Sequence, residues 1–175
     1  MTRVFLVFLL TSTSFAVPFI VPPKGEISKL REGALVLSSG TVWFELFPEE
    51  APLHVANLKW LSEVGFFKDR PISDFQPGYI VQFGKLKKNE MSRFLYTLPP
   101  EFSERVHEAG SLSMGRVPDS RNPKRESSST TIHVLLKKTA AMDGNFTVFG
   151  RVTEGLHLFS SNSVIKDLVV YVAED

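Results

Sequence analysis

A chain of 175 residues with 43% apolar side chains and fifteen phenylalanines has enough hydrophobic mass for one packed domain, and two would be cramped. Lys and Arg number 20 against 19 Asp and Glu, so electrostatics give no reason to expect nucleic-acid binding or strong attraction to an anionic membrane. The chain contains no cysteine, which excludes disulfides, thiol catalysis and thiolate metal sites.

The N-terminus has its own character. Arg3 precedes an apolar run over residues 4–10, and small residues follow at Ser14 and Ala16. That order matches a secretory signal cut after Ala16. A buried first strand or an uncleaved anchor is the alternative, but the run is far shorter than the roughly 20 residues of a spanning helix. The expected organisation is a signal peptide over 1–16, a proline-rich leader over 17–32 and one domain over 33–175. An exported monomer, periplasmic or secreted, with no membrane anchor after cleavage, is the corresponding expectation.

Residues 34–38 and 41–47 flank Ser39-Gly40, which predicts a hairpin. In the second segment Val42, Phe44 and Leu46 alternate with Trp43, Glu45 and Phe47, a period of two. Between residues 49 and 65 the period changes: Ala51, Val55, Leu58, Leu61 and Val64 recur every three or four positions, which predicts an amphipathic helix ending at Gly65. Glu49, Glu50 and Pro52 suit its first turn. Short strands are predicted at 79–83, 111–117, 131–136 and 147–152, then a short helix over 154–161 and a last strand over 164–172. Many short strands with two helices fit a closed barrel or a sandwich.

Several segments in order resemble one family. The run Gly40-Thr-Val-Trp-Phe-Glu-Leu-Phe47, followed by Ala51-Pro52 and Val55-Ala56-Asn57-Leu58, resembles the opening strand and first helix of the cyclophilins. Pro77-Gly78-Tyr79-Ile80-Val81-Gln82-Phe83-Gly84, Gly110-Ser-Leu-Ser-Met-Gly-Arg116, Met142-Asp143-Gly144 and Val148-Phe149-Gly150-Arg151-Val152 are similar to its later blocks, and Glu154-Gly155 follows in place. The resemblance spans roughly residues 33–173. It implies a mainly β fold, a closed eight-stranded antiparallel barrel capped by two α-helices, acting on Xaa–Pro peptide bonds without cofactor or metal. Its partners would be proline-containing peptides or unfolded exported proteins.

The resemblance also assigns the site. The family's catalytic arginine falls on Asp74 and the histidine before it on Ser73, within Ile72-Ser73-Asp74-Phe75-Gln76-Pro77-Gly78-Tyr79. A carboxylate has no proton to donate near neutral pH. Gln82 matches the glutamine that holds the substrate backbone. Among substrate-binding positions, Tyr79 takes a phenylalanine's place and Ile80 a methionine's, while Gly115 and Arg116 lie beside the pocket. Thr131 replaces a second glutamine, His133 a pocket aromatic, Ala141 a tryptophan and Phe146 a rim histidine; Met142 keeps an apolar wall. Arg70 lies about 13 Å upstream along an extended strand, too far to substitute. An Asp74–Arg116 ion pair is one expectation and two separately solvated charges the other. A weak isomerase and a non-catalytic proline-peptide-binding domain are both compatible with this pattern. Residues 117–128, with Arg121, Lys124 and Arg125, read as a solvated loop.

Overall fold

The computed structural model describes residues 17–174. The expected signal segment lies outside them. In chain order the elements are α1 (Lys24–Ile27), β1 (Glu32–Leu37), β2 (Gly40–Leu46), α2 (Pro52–Glu63), β3 (Arg70–Pro71), β4 (Asp74–Gln76) and β5 (Ile80–Phe83). Then come α3 (Met91–Phe94), β6 (Thr97–Leu98), β7 (Ser111–Met114), β8 (Ser127–Ser128), β9 (Ile132–Leu135), β10 (Val148–Glu154) and β11 (Val164–Tyr171).

Nine strands form one curled antiparallel sheet in the order β3-β11-β1-β2-β10-β7-β9-β5-β4. Its two edge strands are neighbours in sequence. Ile72 donates its N–H to Ser163 on the β11 side at 3.1 Å, and Ser73 donates to Gln82 in β5 at 2.8 Å. One extended stretch, residues 70–76, therefore pairs with one edge and then the other. The mainly β fold is as expected, but the sheet has nine strands rather than eight and is open, with no ladder joining β3 to β4 between Ile72 and Ser73.

The hairpin between β1 and β2 follows from alternation. Val42, Phe44 and Leu46 point inward and are buried, while Trp43 faces out and stacks on Tyr171 of β11. The turn sits at Ser38-Ser39, one residue earlier than expected, because Gly40 already pairs with Leu37. Gly33 is needed for packing: a Cβ there would stand 2.4 Å from the Phe44 ring.

Helix α2 lays Val55, Leu58 and Leu61, all essentially inaccessible, across the barrel mouth. Its start departs from expectation. It begins at Pro52, so Glu49 and Glu50 lie before it and pair with Arg31 and Arg105 instead. Glu101, far along the chain, supplies the cap: it accepts the N–H groups of Leu53 and His54 at 3.0 Å each. Those donors are the ones a helix start leaves unsatisfied.

The second capping helix expected over 154–161 is absent. Only a single 3₁₀ turn forms, Leu156–Leu158, and buried Phe159 packs into the core beside it. Gly155, at φ 82°, begins that turn. Residues before β1 are also part of the packing, since Ile27 and Leu30 join the core and Phe19 stacks on Trp60. Segment 117–128 holds a 3₁₀ turn, Asp119–Arg121, and ends in β8, which pairs with β6. Among the described residues no helix is long and apolar enough to cross a membrane.

Candidate active site

The predicted site residues fall on adjoining strands and loops. In the β4–β5 register Asp74 stands opposite Gln82, and in the β5–β9 register Gln82 stands opposite His133. Ser113 of β7 stands opposite His133 in turn. Directly paired residues share a sheet face, so Asp74, Gln82, His133 and Ser113 make one polar row across four strands.

Beside this row lies an apolar wall. Ile80, Leu135 and Met142 form a buried cluster against which Tyr79 and Phe146 pack. His133 joins row to wall, with its ring 6.1 Å from that of Phe146. On the other side a groove of about 400 Å³ opens, lined among others by Gln82, Gly115, Arg116, Thr131 and His133. Ala141 belongs to neither surface; it is exposed in the 3₁₀ turn Ala140–Met142.

His133 makes a hydrogen bond through Nε2 to Gln82 Oε1 at 3.0 Å, and its Nδ1 is buried with no partner among the described residues. Burial, with a smaller repulsion from His107, pushes its pKa down to about 4, against an opposing pull from Asp74. The imidazole is therefore neutral at physiological pH. Gly115 leaves it room, since a Cβ there would come within 3.1 Å of Nε2.

The two arginines considered as partners or substitutes at position 74, Arg70 and Arg116, are both committed elsewhere. Arg116 donates to Asn145 O at 2.6 Å and to Asp119 Oδ1 at 2.5 Å, over the Phe146 ring. The Asp74–Arg116 ion pair is thus not formed, because Asp119, three residues on, takes the guanidinium first. Asp74 is exposed and accepts from Gln76 Nε2 at 2.9 Å. Arg70 is buried on Glu90, on Phe66 O and over the Phe66 ring.

Sequence reasoning missed the supports behind these surfaces. His107 is fully buried behind Phe146 and meets Asp143 at 2.9 Å; Asp143 also accepts the His107 N–H at 2.7 Å. Tyr96, which lines the groove, donates to Asn57 of α2, and Asn57 donates to Ser129 O at 2.8 Å. The Asp143-Gly144 motif held a hint of the first; nothing local signalled the second. Among the described residues no group of three or more His, Asp or Glu is placed to hold a metal ion.

A curled antiparallel barrel with an apolar wall and a polar groove on one face defines the class of protein, a cyclophilin-like barrel. The family model for "Cyclophilin type peptidyl-prolyl cis-trans isomerase/CLD" matches residues 34–167, and the chain belongs to this family. Peptidyl-prolyl cis-trans isomerase B of Bacillus subtilis is 29% identical over 147 residues, covering 81% of this chain and 99% of that protein. A probable peptidyl-prolyl cis-trans isomerase of Brucella suis is 29% identical over 134 residues, 70% of this chain and 66% of that protein. Among solved structures, a Cryptosporidium parvum cyclophilin-type isomerase determined in the presence of the dipeptide Ala-Pro superposes with a TM-score of 0.68 at 19% identity. It matches 82% of this chain and all of that one.

Proposed function

We propose that this cyclophilin-type isomerase assists the folding of exported proteins and turns over Xaa–Pro bonds only weakly. Rotation about a prolyl peptide bond is opposed by amide resonance, a barrier of roughly 18–20 kcal/mol. A catalyst lowers it by holding the proline ring against an apolar surface and by donating a hydrogen bond that is strongest when the amide is twisted. The wall of Ile80, Met142 and Phe146 supplies the first requirement. Gln82 supplies a grip on the peptide backbone.

The carrying observation is Asp74. It occupies the donor's place as an exposed carboxylate, and neither Arg70 nor Arg116 is released to replace it. Losing one such donor typically costs about 100- to 1000-fold in rate. The same observation favours a second reading, a domain that binds proline peptides without catalysis. The export role rests on the sequence of residues 1–16.

Titrating the protein with a short Ala-Pro peptide, while following its amide signals and the cis–trans exchange of the peptide by NMR, tests this. Shifts at His133, Phe146 and Gln82 with little faster exchange are expected. Absence of shifts at those residues would overturn the proline-peptide reading. Exchange at the rate usual for the family would overturn weak turnover.

A further inference from the structure

With Asp74 unable to donate, the polar group left in the row that can meet a peptide is the Gln82 amide, and its orientation is set by one contact. His133 Nε2 faces Gln82 Oε1 at 3.0 Å. A carbonyl oxygen only accepts, so the ring nitrogen facing it carries the proton. That leaves Nδ1 as a buried lone pair, and it has no partner among the described residues. The amide NH₂ of Gln82 is then turned away from the imidazole, and Gln82 lines the open groove.

The imidazole is itself held. It packs on Phe146, sits under Gly115, where no Cβ intrudes, and is fixed in the β5–β9 register opposite Gln82. A phenyl ring at this position would fill similar space and leave Gln82 free to rotate, since it offers no N–H.

We propose that His133 is a positioning residue that locks the Gln82 amide with its NH₂ presented to the groove, as a donor to a carbonyl oxygen of a bound proline peptide. This rests on the proline-peptide reading for its ligand but not for the lock itself. The lock follows from geometry in the free protein.

Two measurements on the full chain separate these parts. In the free protein, the two Gln82 side-chain amide protons should give distinct, individually assigned signals, with contacts to neighbours that fix one orientation. In His133→Phe those contacts should average out while the backbone spectrum stays native. An unchanged Gln82 orientation in His133→Phe would overturn the lock. The second measurement is a double-mutant cycle on affinity for an Ala-Pro peptide. Gln82→Ala and His133→Phe should each weaken binding about threefold to tenfold, the range of one lost hydrogen bond. The double variant should be no weaker than Gln82→Ala alone, because His133 acts through Gln82. Additive losses would mean His133 contacts the peptide independently, and the proposal would fall. Should the native protein bind no proline peptide, the ligand reading fails, and the Gln82 amide signals still decide the lock.

Discussion

On the wall made by β11, β1 and β2, the inward positions are filled by Leu35, Leu37, Val42, Phe44, Leu46, Ile165 and Leu168, all buried and apolar. The wall made by β4, β5, β9 and β7 has an equally apolar interior, with Val81, Phe83, Ile132, Val134 and Met114, yet carries Asp74, Gln82, His133 and Ser113 in one row on its other face. The same barrel thus keeps two kinds of surface apart. Burial of apolar area fixes the fold from within. The outer row carries different chemistry, with an acid, an amide, an imidazole and a hydroxyl side by side on paired strands.

If that separation holds, stability and site chemistry respond to different substitutions. Phe149→Ala removes a fully buried ring that also stacks on His54. It should cost about 3–5 kcal/mol in denaturant unfolding; a loss below about 1 kcal/mol would show the interior to be less tightly packed than its burial indicates. Glu101→Ala leaves the Leu53 and His54 N–H groups and His54 Nδ1 without their acceptor. The expected loss is about 1–3 kcal/mol.

His133 joins the polar row to Phe146 of the apolar wall, and acid should reveal it. Its folded-state pKa of about 4 lies below the ordinary histidine value of about 6.5, so the unfolded chain binds more protons between these limits. Its contribution to stability is therefore present above about pH 6.5 and lost as pH falls toward 4. The slope is of order 1 kcal/mol per pH unit at most, and His133→Phe should remove it from the unfolding profile. An NMR titration placing His133 near 6.5 would contradict the burial argument. The smallest effect is expected for Asp74→Asn: the side chain is exposed and accepts a hydrogen bond from Gln76, so stability should move by less than about 0.5 kcal/mol.

The sequence made legible what is periodic or local. Alternation at Val42, Phe44 and Leu46 and the three-four spacing at Val55, Leu58 and Leu61 identified β2 and α2 within a few residues. Matching blocks named Gln82, His133 and Met142 as candidate site positions, and the structure places Gln82 beside His133. What escaped was non-local. Glu101 capping α2, and Asp119 taking Arg116 from Asp74, depend on loops whose paths no periodicity encodes. The expected second helix failed because Gly155 and the short Ser160–Ser163 stretch leave room for a single 3₁₀ turn before β11 begins. The row joining Asp74 to Ser113 required strand register, which alternation alone does not fix.

Among the changes at this site, Asp74 is the one proposed to hold catalysis down. Cis–trans exchange of an Ala-Pro peptide, measured by NMR with the native protein and with Asp74→Arg at equal concentration, tests it most directly. Little acceleration is expected from the native protein, and at least about a tenfold gain from Asp74→Arg, which puts a guanidinium beside Gln82. Family-level acceleration by the native protein, with no gain from the arginine, would contradict it.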